Sequence, residues 1–138
     1  MRVALVILAA LAVGCSDKTP SAPEGVTLVF TSRTPEANAP DSATAVAGQG
    51  EITVRATLGA PDPCRVLDGD LDVEGKQLIL RVSVRPVTGV CVLVVGRFAY
   101  DATIEGLTPG SYTLQVIHSY PSTGLPTVTV VNQTLDVK

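Results

Sequence analysis

The chain has 138 residues, 10 of them basic and 13 acidic, which gives a formal net charge of −3 at pH 7. This length provides one domain with one hydrophobic core. The slight acidic excess excludes the strongly basic surface that nucleic-acid-binding proteins carry, so no nucleic acid is expected as a partner.

The first fourteen residues have the order of a secretory signal. Arg2 supplies a positive charge, eleven consecutive apolar residues follow, and the small residue Gly14 precedes Cys15. A helix that spans a membrane needs about 20 apolar residues, so this shorter segment is typical of an export signal rather than a permanent span. We therefore predict that residues 1–14 are a signal peptide that the mature protein lacks.

Residues 11–15, with the sequence LAVGC, resemble the lipobox of bacterial lipoproteins. In that family the cysteine is acylated and becomes the new N-terminus, so the resemblance implies a palmitate-type membrane anchor on Cys15 in the bacterial cell envelope. Ala12 stands where the family usually has Leu, Val or Ile. Ser16 stands where an Asp often retains such proteins at the inner membrane, which favours the outer membrane. An ordinary cleaved signal beside an unrelated cysteine is the alternative.

The remaining chain divides into a short tether and one domain. Residues 15–25 are mostly polar, include two prolines, and have no periodicity that would bury a face. This composition is typical of a flexible tether. From residue 26 onward, short runs of Val, Ile, Leu and Thr recur between Gly and Pro residues. These runs predict an all-β domain over residues 26–138.

Seven short strands are predicted in this domain, which is typical of an antiparallel, immunoglobulin-like β-sandwich. Residues 32–49 are left open between a loop and a short edge strand around Ala43–Val46. The valines near the C-terminus alternate first in one strand phase and then in the other. Keeping them on the inward face of one strand therefore requires a bulge near Val131–Asn132. The predicted strands are Val26–Thr31, Gly50–Leu58, Arg65–Val73, Gln77–Arg85, Cys91–Tyr100, Ser111–Ser119 and Thr127–Val137.

Alternating apolar and acidic residues before Gly75 predict a hairpin whose turn is formed by residues 75 and 76. This register satisfies both faces of the hairpin at once, because apolar residues meet on one face and opposite charges on the other. The predicted cross-strand pairs are Val73 with Leu78, Leu71 with Leu80, and Asp70 with Arg81.

Three aspartates at alternate positions of this hairpin, Asp68, Asp70 and Asp72, superficially match the opening of a calcium loop. The match ends there, because Val73 stands where that loop has its glycine and Ile79 where it has its glutamate. A solvated acidic strand face is the prediction. No metal and no cofactor is expected.

Residues 107–116, with the sequence LTPGSYTLQV, resemble a turn and strand of immunoglobulin-like and fibronectin-III-like β-sandwich domains. The resemblance implies that Tyr112 is a tyrosine corner, with its ring in the core and its hydroxyl bonded to backbone upstream. The motif is specific for a fold and not for a function.

The cysteines and the histidine restrict the chemistry. With Cys15 assigned to the lipid, Cys64 and Cys91 remain as a pair in an oxidising compartment, which predicts an intramolecular disulfide. His118 is the only histidine. It is expected at a strand end or on the surface, and Ser119 beside it on a strand would point to the opposite face. No enzymatic activity is therefore predicted, and a small hydrolase centred on His118 is the weakest alternative.

If successive strands reverse direction, loops 59–63, 86–90 and 119–126 fall at one end of the sandwich. Sandwich domains often bind partners through such loop clusters. We expect a non-enzymatic binding or structural accessory module that contacts an envelope protein or a glycan. An inhibitor or chaperone-like protein acting on periplasmic enzymes is the alternative, as is a purely strand-terminating role for the loop prolines. The residues expected to make the contact are Asp62, Arg65, Tyr120, Leu125 and Pro126.

Overall fold

The computed structural model describes residues 24–138, which form an all-β sandwich of two four-stranded sheets. The predicted signal peptide, Cys15 and most of the predicted tether lie outside the described residues. The strands are β1 (Thr27–Arg33), β2 (Ser42–Ala47), β3 (Glu51–Ala60), β4 (Arg65–Glu74), β5 (Gln77–Pro86), β6 (Gly96–Glu105), β7 (Gly110–Ser119) and β8 (Val128–Val137).

The strand order is β1-β6-β3-β2 in the first sheet and β4-β5-β7-β8 in the second. Within residues 24–138 every strand pair is antiparallel except β5 with β7, which run parallel. The exception follows from the connectivity. Strands β5, β6 and β7 reverse direction in turn, but β6 belongs to the other sheet, so β5 and β7 become neighbours with the same direction.

The core lies between the sheets and is formed by the residues of one phase in each strand. In β5, for example, Leu78, Leu80 and Val82 are buried while Arg81 and Arg85 are exposed. Burial of one aliphatic side chain contributes about 1.5–3 kcal/mol, so this layer stabilises the fold. Fully buried residues include Ile52, Val54, Leu58, Leu78, Leu80, Val82, Val84, Tyr100, Ile104, Leu114 and Val116.

The β4–β5 hairpin has the predicted register, including the pairs Val73 with Leu78 and Asp70 with Arg81. Gly75 has φ of +60°, the left-handed conformation that the tight turn requires. The ion pair of Arg81 differs from the prediction, because its guanidinium contacts Asp72 on the same strand face instead of Asp70. Arg85 contacts Asp68 in the same way.

The tyrosine corner and the β-bulge are both present. The Tyr112 hydroxyl donates to the carbonyl oxygen of Thr108 at 3.0 Å, and the Tyr112 ring is buried. In the β7–β8 pair, Val116 lies opposite Val131 and Ile117 lies opposite Thr129. Val130 is therefore the extra residue, one position before the predicted bulge.

Two parts of the strand prediction change. The segment left open around Ala43–Val46 is strand β2, so the sandwich has eight strands within residues 24–138. The prediction of a strand at Cys91–Tyr100 is wrong in its first half, because β6 begins at Gly96. Its neighbour β3 ends opposite Gly96, and β1 ends opposite Ala99. No strand therefore lies beside residues 91–95 to pair with them.

Close packing between β1 and β4 depends on a residue without a side chain. A Cβ at Gly69 in β4 would overlap the ring of Phe30 in β1. That ring stacks on Tyr100 with centroids 5.1 Å apart. Glycine at position 69 thus lets an aromatic pair close this side of the core.

Candidate functional site at the loop end of the sandwich

Four connections lie together at one end of the sandwich, which we call the loop end: residues 34–41, 61–64, 87–95 and 120–127. The strand register brings them together, because Ala60 lies opposite Gly96 and Arg65 lies opposite Pro86. The three loops predicted to cluster are all among them. Residues 24–26 and the C-terminus lie at the other end, where β1 begins opposite the end of β6.

A disulfide joins two of these loops. Cys64 and Cys91 are covalently bonded, as predicted, with their Cα atoms 5.9 Å apart. The backbone N–H of Val87 also donates to the carbonyl oxygen of Cys64 at 2.9 Å. The loop 87–95 is therefore held at its middle and at its start, which reduces the entropy that binding would cost.

Asp62 and Arg65 hold the loop end together instead of facing solvent. The Nη2 of Arg65 donates to the Oδ2 of Asp62 at 2.6 Å, and the Arg65 side chain is only 6% exposed. Asp62 also accepts the backbone N–H of Cys64 at 3.1 Å. The hydrogen bond from Arg65 lowers the pKa of Asp62 below its usual range. Both charges are therefore neutralised within the frame of the loops.

The three other predicted contact residues lie in loop 120–127. Tyr120 is half-buried and packs against the core, and its carbonyl oxygen accepts the Thr123 hydroxyl at 2.7 Å. The same Thr123 hydroxyl oxygen accepts the backbone N–H of Leu125 at 3.0 Å. Leu125 is 47% exposed and Pro126 is also exposed. Leu125 and Pro126 are thus exposed at the loop end, whereas Tyr120 mainly supports the loop.

The sequence analysis did not predict the run of exposed aliphatic residues in loop 87–95. Loop 87–95 exposes an aliphatic side chain at six positions, and Leu93 is 95% exposed. The sequence contained a signal, because residues 92–95 are consecutive aliphatic residues without the alternation of a half-buried strand. The exposed aliphatic residues are Val87, Val90, Val92, Leu93, Val94 and Val95.

His118 lies near the end of β7, as expected, but its side chain is buried and not at the surface. It is 2% exposed, and its Nε2 lies 2.9 Å from the hydroxyl of buried Tyr100. Burial lowers the pKa of His118 to about 4, against a smaller opposing effect of the Asp41 charge. Burial also raises the pKa of Tyr100 well above its usual range. The phase of β7 explains the position, because Leu114 and Val116 share its inward face.

His118 also lines a cleft of about 360 Å³ between β2 and β8, beside the side chains of Asp41 and Tyr120. Aliphatic residues such as Leu58 and Val130 form the rest of its wall. The hydroxyl of Ser119 donates to Ser83 at 3.2 Å. Ser119 is therefore not paired with His118, whose Nε2 is bonded to Tyr100, and the serine that lines the cleft is Ser42.

One group among the described residues has the composition of a metal site: Asp62, Cys64 and Cys91. Both sulfur atoms are in the disulfide and cannot act as thiolate ligands. Only the Asp62 carboxylate is left, and it is bonded to Arg65. These residues do not fit a metal ion.

Comparison of the chain with protein-family models, with curated proteins and with solved structures finds no match. Among residues 24–138 there is no helix long and apolar enough to cross a membrane.

Proposed function

We propose that this chain is a lipid-anchored protein of the bacterial envelope that catalyses no reaction and contacts another envelope component through its loop end. The lipobox-like residues 11–15 support the anchor on Cys15. The sandwich is the accessory module, and its outward contact is made by loops 87–95 and 120–127.

The observation that carries the proposal is the contrast within the loop end. In loops 61–64, 87–95 and 120–127 the only charged residue, Asp62, is bonded to Arg65, while aliphatic residues such as Leu93 and Leu125 are exposed. The exposed charges Glu36 and Asp41 lie in the fourth connection, loop 34–41. Exposed apolar patches of this kind mark contact surfaces on folded proteins. The disulfide and the ion pair supply the rigid frame that such a contact surface needs.

The direction of the chain fits this arrangement. Residue 26 enters β1 at the end of the sandwich opposite to the loop end. A chain anchored through Cys15 therefore enters the sandwich at the end that carries none of the loops proposed to make the contact.

The anchor is tested by labelling cells with radioactive palmitate, with and without globomycin, which blocks the lipoprotein signal peptidase. We expect a labelled band that shifts with globomycin, and a Cys15→Ala variant that is unlabelled. A wild-type chain that takes up no label would overturn the anchor.

The contact is tested by placing a photo-crosslinking amino acid at position 125 and, in a matched control, at position 46. Val46 is 67% exposed but lies near the opposite end of the sandwich, in β2. We expect a discrete crosslinked product, with protein or lipid, from position 125 in intact cells and none from position 46. Equal products from both positions would remove the loop end from consideration.

A further inference from the structure

We infer that loop 87–95 inserts its aliphatic side chains into the surface of a lipid bilayer, as a second membrane contact besides the proposed lipid on Cys15. The inference names the partner of the loop end and so rests on the proposed function in that respect. It does not require Cys15 to be acylated.

The exposed aliphatic side chains of the loop are consecutive in sequence. Val92, Leu93, Val94 and Val95 all face solvent, although the segment is not a strand. A flat protein surface would cover only part of such a run. A bilayer surface adapts its shape to side chains that project in several directions and removes their apolar area from water.

The loop is purely apolar in its side-chain chemistry apart from one threonine. Residues 86–96 contain no charged residue and no aromatic residue. Tyr, Trp and Arg, the usual anchors of protein–protein contacts, are thus missing from the part that projects furthest. The neighbouring arginines are engaged, Arg65 with Asp62 and Arg97 with Asp41, each at 2.6 Å. Attraction to the bilayer is therefore apolar and independent of anionic lipid and of salt.

The backbone of the loop limits how deeply its side chains can insert into the bilayer. Its backbone is irregular, with Val94 donating to the carbonyl oxygen of Val92 at 3.0 Å, and its middle is held by the Cys91 disulfide. Irregular backbone facing lipid is excluded from the hydrocarbon centre because its polar groups need partners. The side chains therefore insert at the headgroup boundary, and the Asp62–Arg65 pair stays outside.

The length of chain outside the structure allows both contacts on one bilayer. Strands of ten residues make the sandwich about 33 Å long. Residues 15–25, fully extended, reach a similar distance of about 35 Å. The contour length of residues 15–25 is thus comparable to the length of the sandwich, so one bilayer lies within reach of both Cys15 and the loop end.

The test uses tryptophan, because the chain contains none. Leu93→Trp puts a single indole in the loop, and Val46→Trp puts one at an exposed position near the opposite end. Each full-length variant is purified from cell envelopes and reconstituted into phosphatidylcholine vesicles, with and without brominated acyl chains. Fluorescence emission and quenching by the bromine atoms are measured at low and high salt.

We expect the emission of Leu93→Trp to shift to shorter wavelength and to lose intensity with brominated lipid, equally at both salt concentrations. Val46→Trp should show neither change. Unquenched emission at long wavelength from position 93 overturns the inference, and so does a shift without quenching, which would indicate a protein partner or a second copy. Palmitate labelling is a separate measurement, so failure of the anchor and failure of loop insertion are distinguishable.

Discussion

Burial of His118 makes the stability of this domain depend on pH in a way that its geometry specifies. The pKa of His118 is lowered from 6.5 to about 4 in the folded chain because burial penalises the imidazolium. The unfolded chain therefore binds the proton more strongly than the folded chain between these two values. The free energy of unfolding has to fall as pH decreases through this range.

The magnitude follows from the two pKa values. At 1.36 kcal/mol per pKa unit, this shift lowers the free energy of unfolding by about 3 kcal/mol at a pH where His118 is protonated in both the folded and the unfolded chain. About 2 kcal/mol of this loss occurs between pH 7 and pH 5. His118 is the only histidine, so it is the only side chain whose ordinary pKa lies between pH 5 and pH 7. The Asp62 carboxylate, whose pKa is lowered, loses its contribution only at lower pH.

Denaturant unfolding at pH 7, 6 and 5 measures the effect, with His118→Gln as the matched variant. The glutamine amide can still bond to the Tyr100 hydroxyl, but it does not titrate. We expect the variant to be less stable at pH 7 and to lose almost nothing between pH 7 and pH 5. Parallel losses in both proteins would refute the assignment of the slope to His118.

Three further predictions concern stability and are checked by denaturant unfolding. Replacing Cys64 and Cys91 by serine should lower the free energy of unfolding by about 3.5 kcal/mol, because the disulfide closes a loop with a sequence separation of 27. An unchanged denaturant midpoint of unfolding would contradict this. Gly69→Ala should cost about 2 kcal/mol through its overlap with Phe30. Adding Phe30→Leu to Gly69→Ala should recover part of that loss, and simple additivity of the two costs would count against the contact. Tyr112→Phe should cost about 1 kcal/mol by removing the hydroxyl of the tyrosine corner, and wild-type stability would exclude that role.

The parts of the fold that could be predicted are those specified by local periodicity. The pairing of Val73 with Leu78 follows from alternation on both sides of a glycine turn, and the structure has that register. The valines near the C-terminus change phase within one strand, which requires an extra residue, and the bulge lies at Val130. In both cases the information lies within a few consecutive residues.

The start of β6 could not be predicted in this way. Residues 91–95 have high strand propensity, yet a strand exists only where a neighbour offers its backbone groups. The neighbours β1 and β3 end opposite Ala99 and Gly96, and where they end is decided by tertiary structure. Propensity alone therefore placed a strand where the molecule has a loop.

The candidate site was predicted in its location but not in its chemistry. Reversal of successive strands was sufficient to bring the loops to one end. Which residues face outward depended on contacts between loops, such as the bond from Arg65 to the carbonyl oxygen of Pro121 at 3.4 Å. Those contacts turn Asp62 and Arg65 inward, and the exposed surface is left to the aliphatic residues.

The exposed aliphatic residues of loop 87–95 do not contribute to the folded core of this domain. The core between the sheets is complete without the loop, and residues such as Val90 and Leu93 gain none of the 1.5–3 kcal/mol that burial of an aliphatic side chain contributes. Polar residues at these positions would serve the fold equally well, because the attachment to Cys64 requires only Cys91. The aliphatic character of the loop therefore has no explanation in the stability of the sandwich. The bilayer contact proposed above would supply an apolar environment for these side chains.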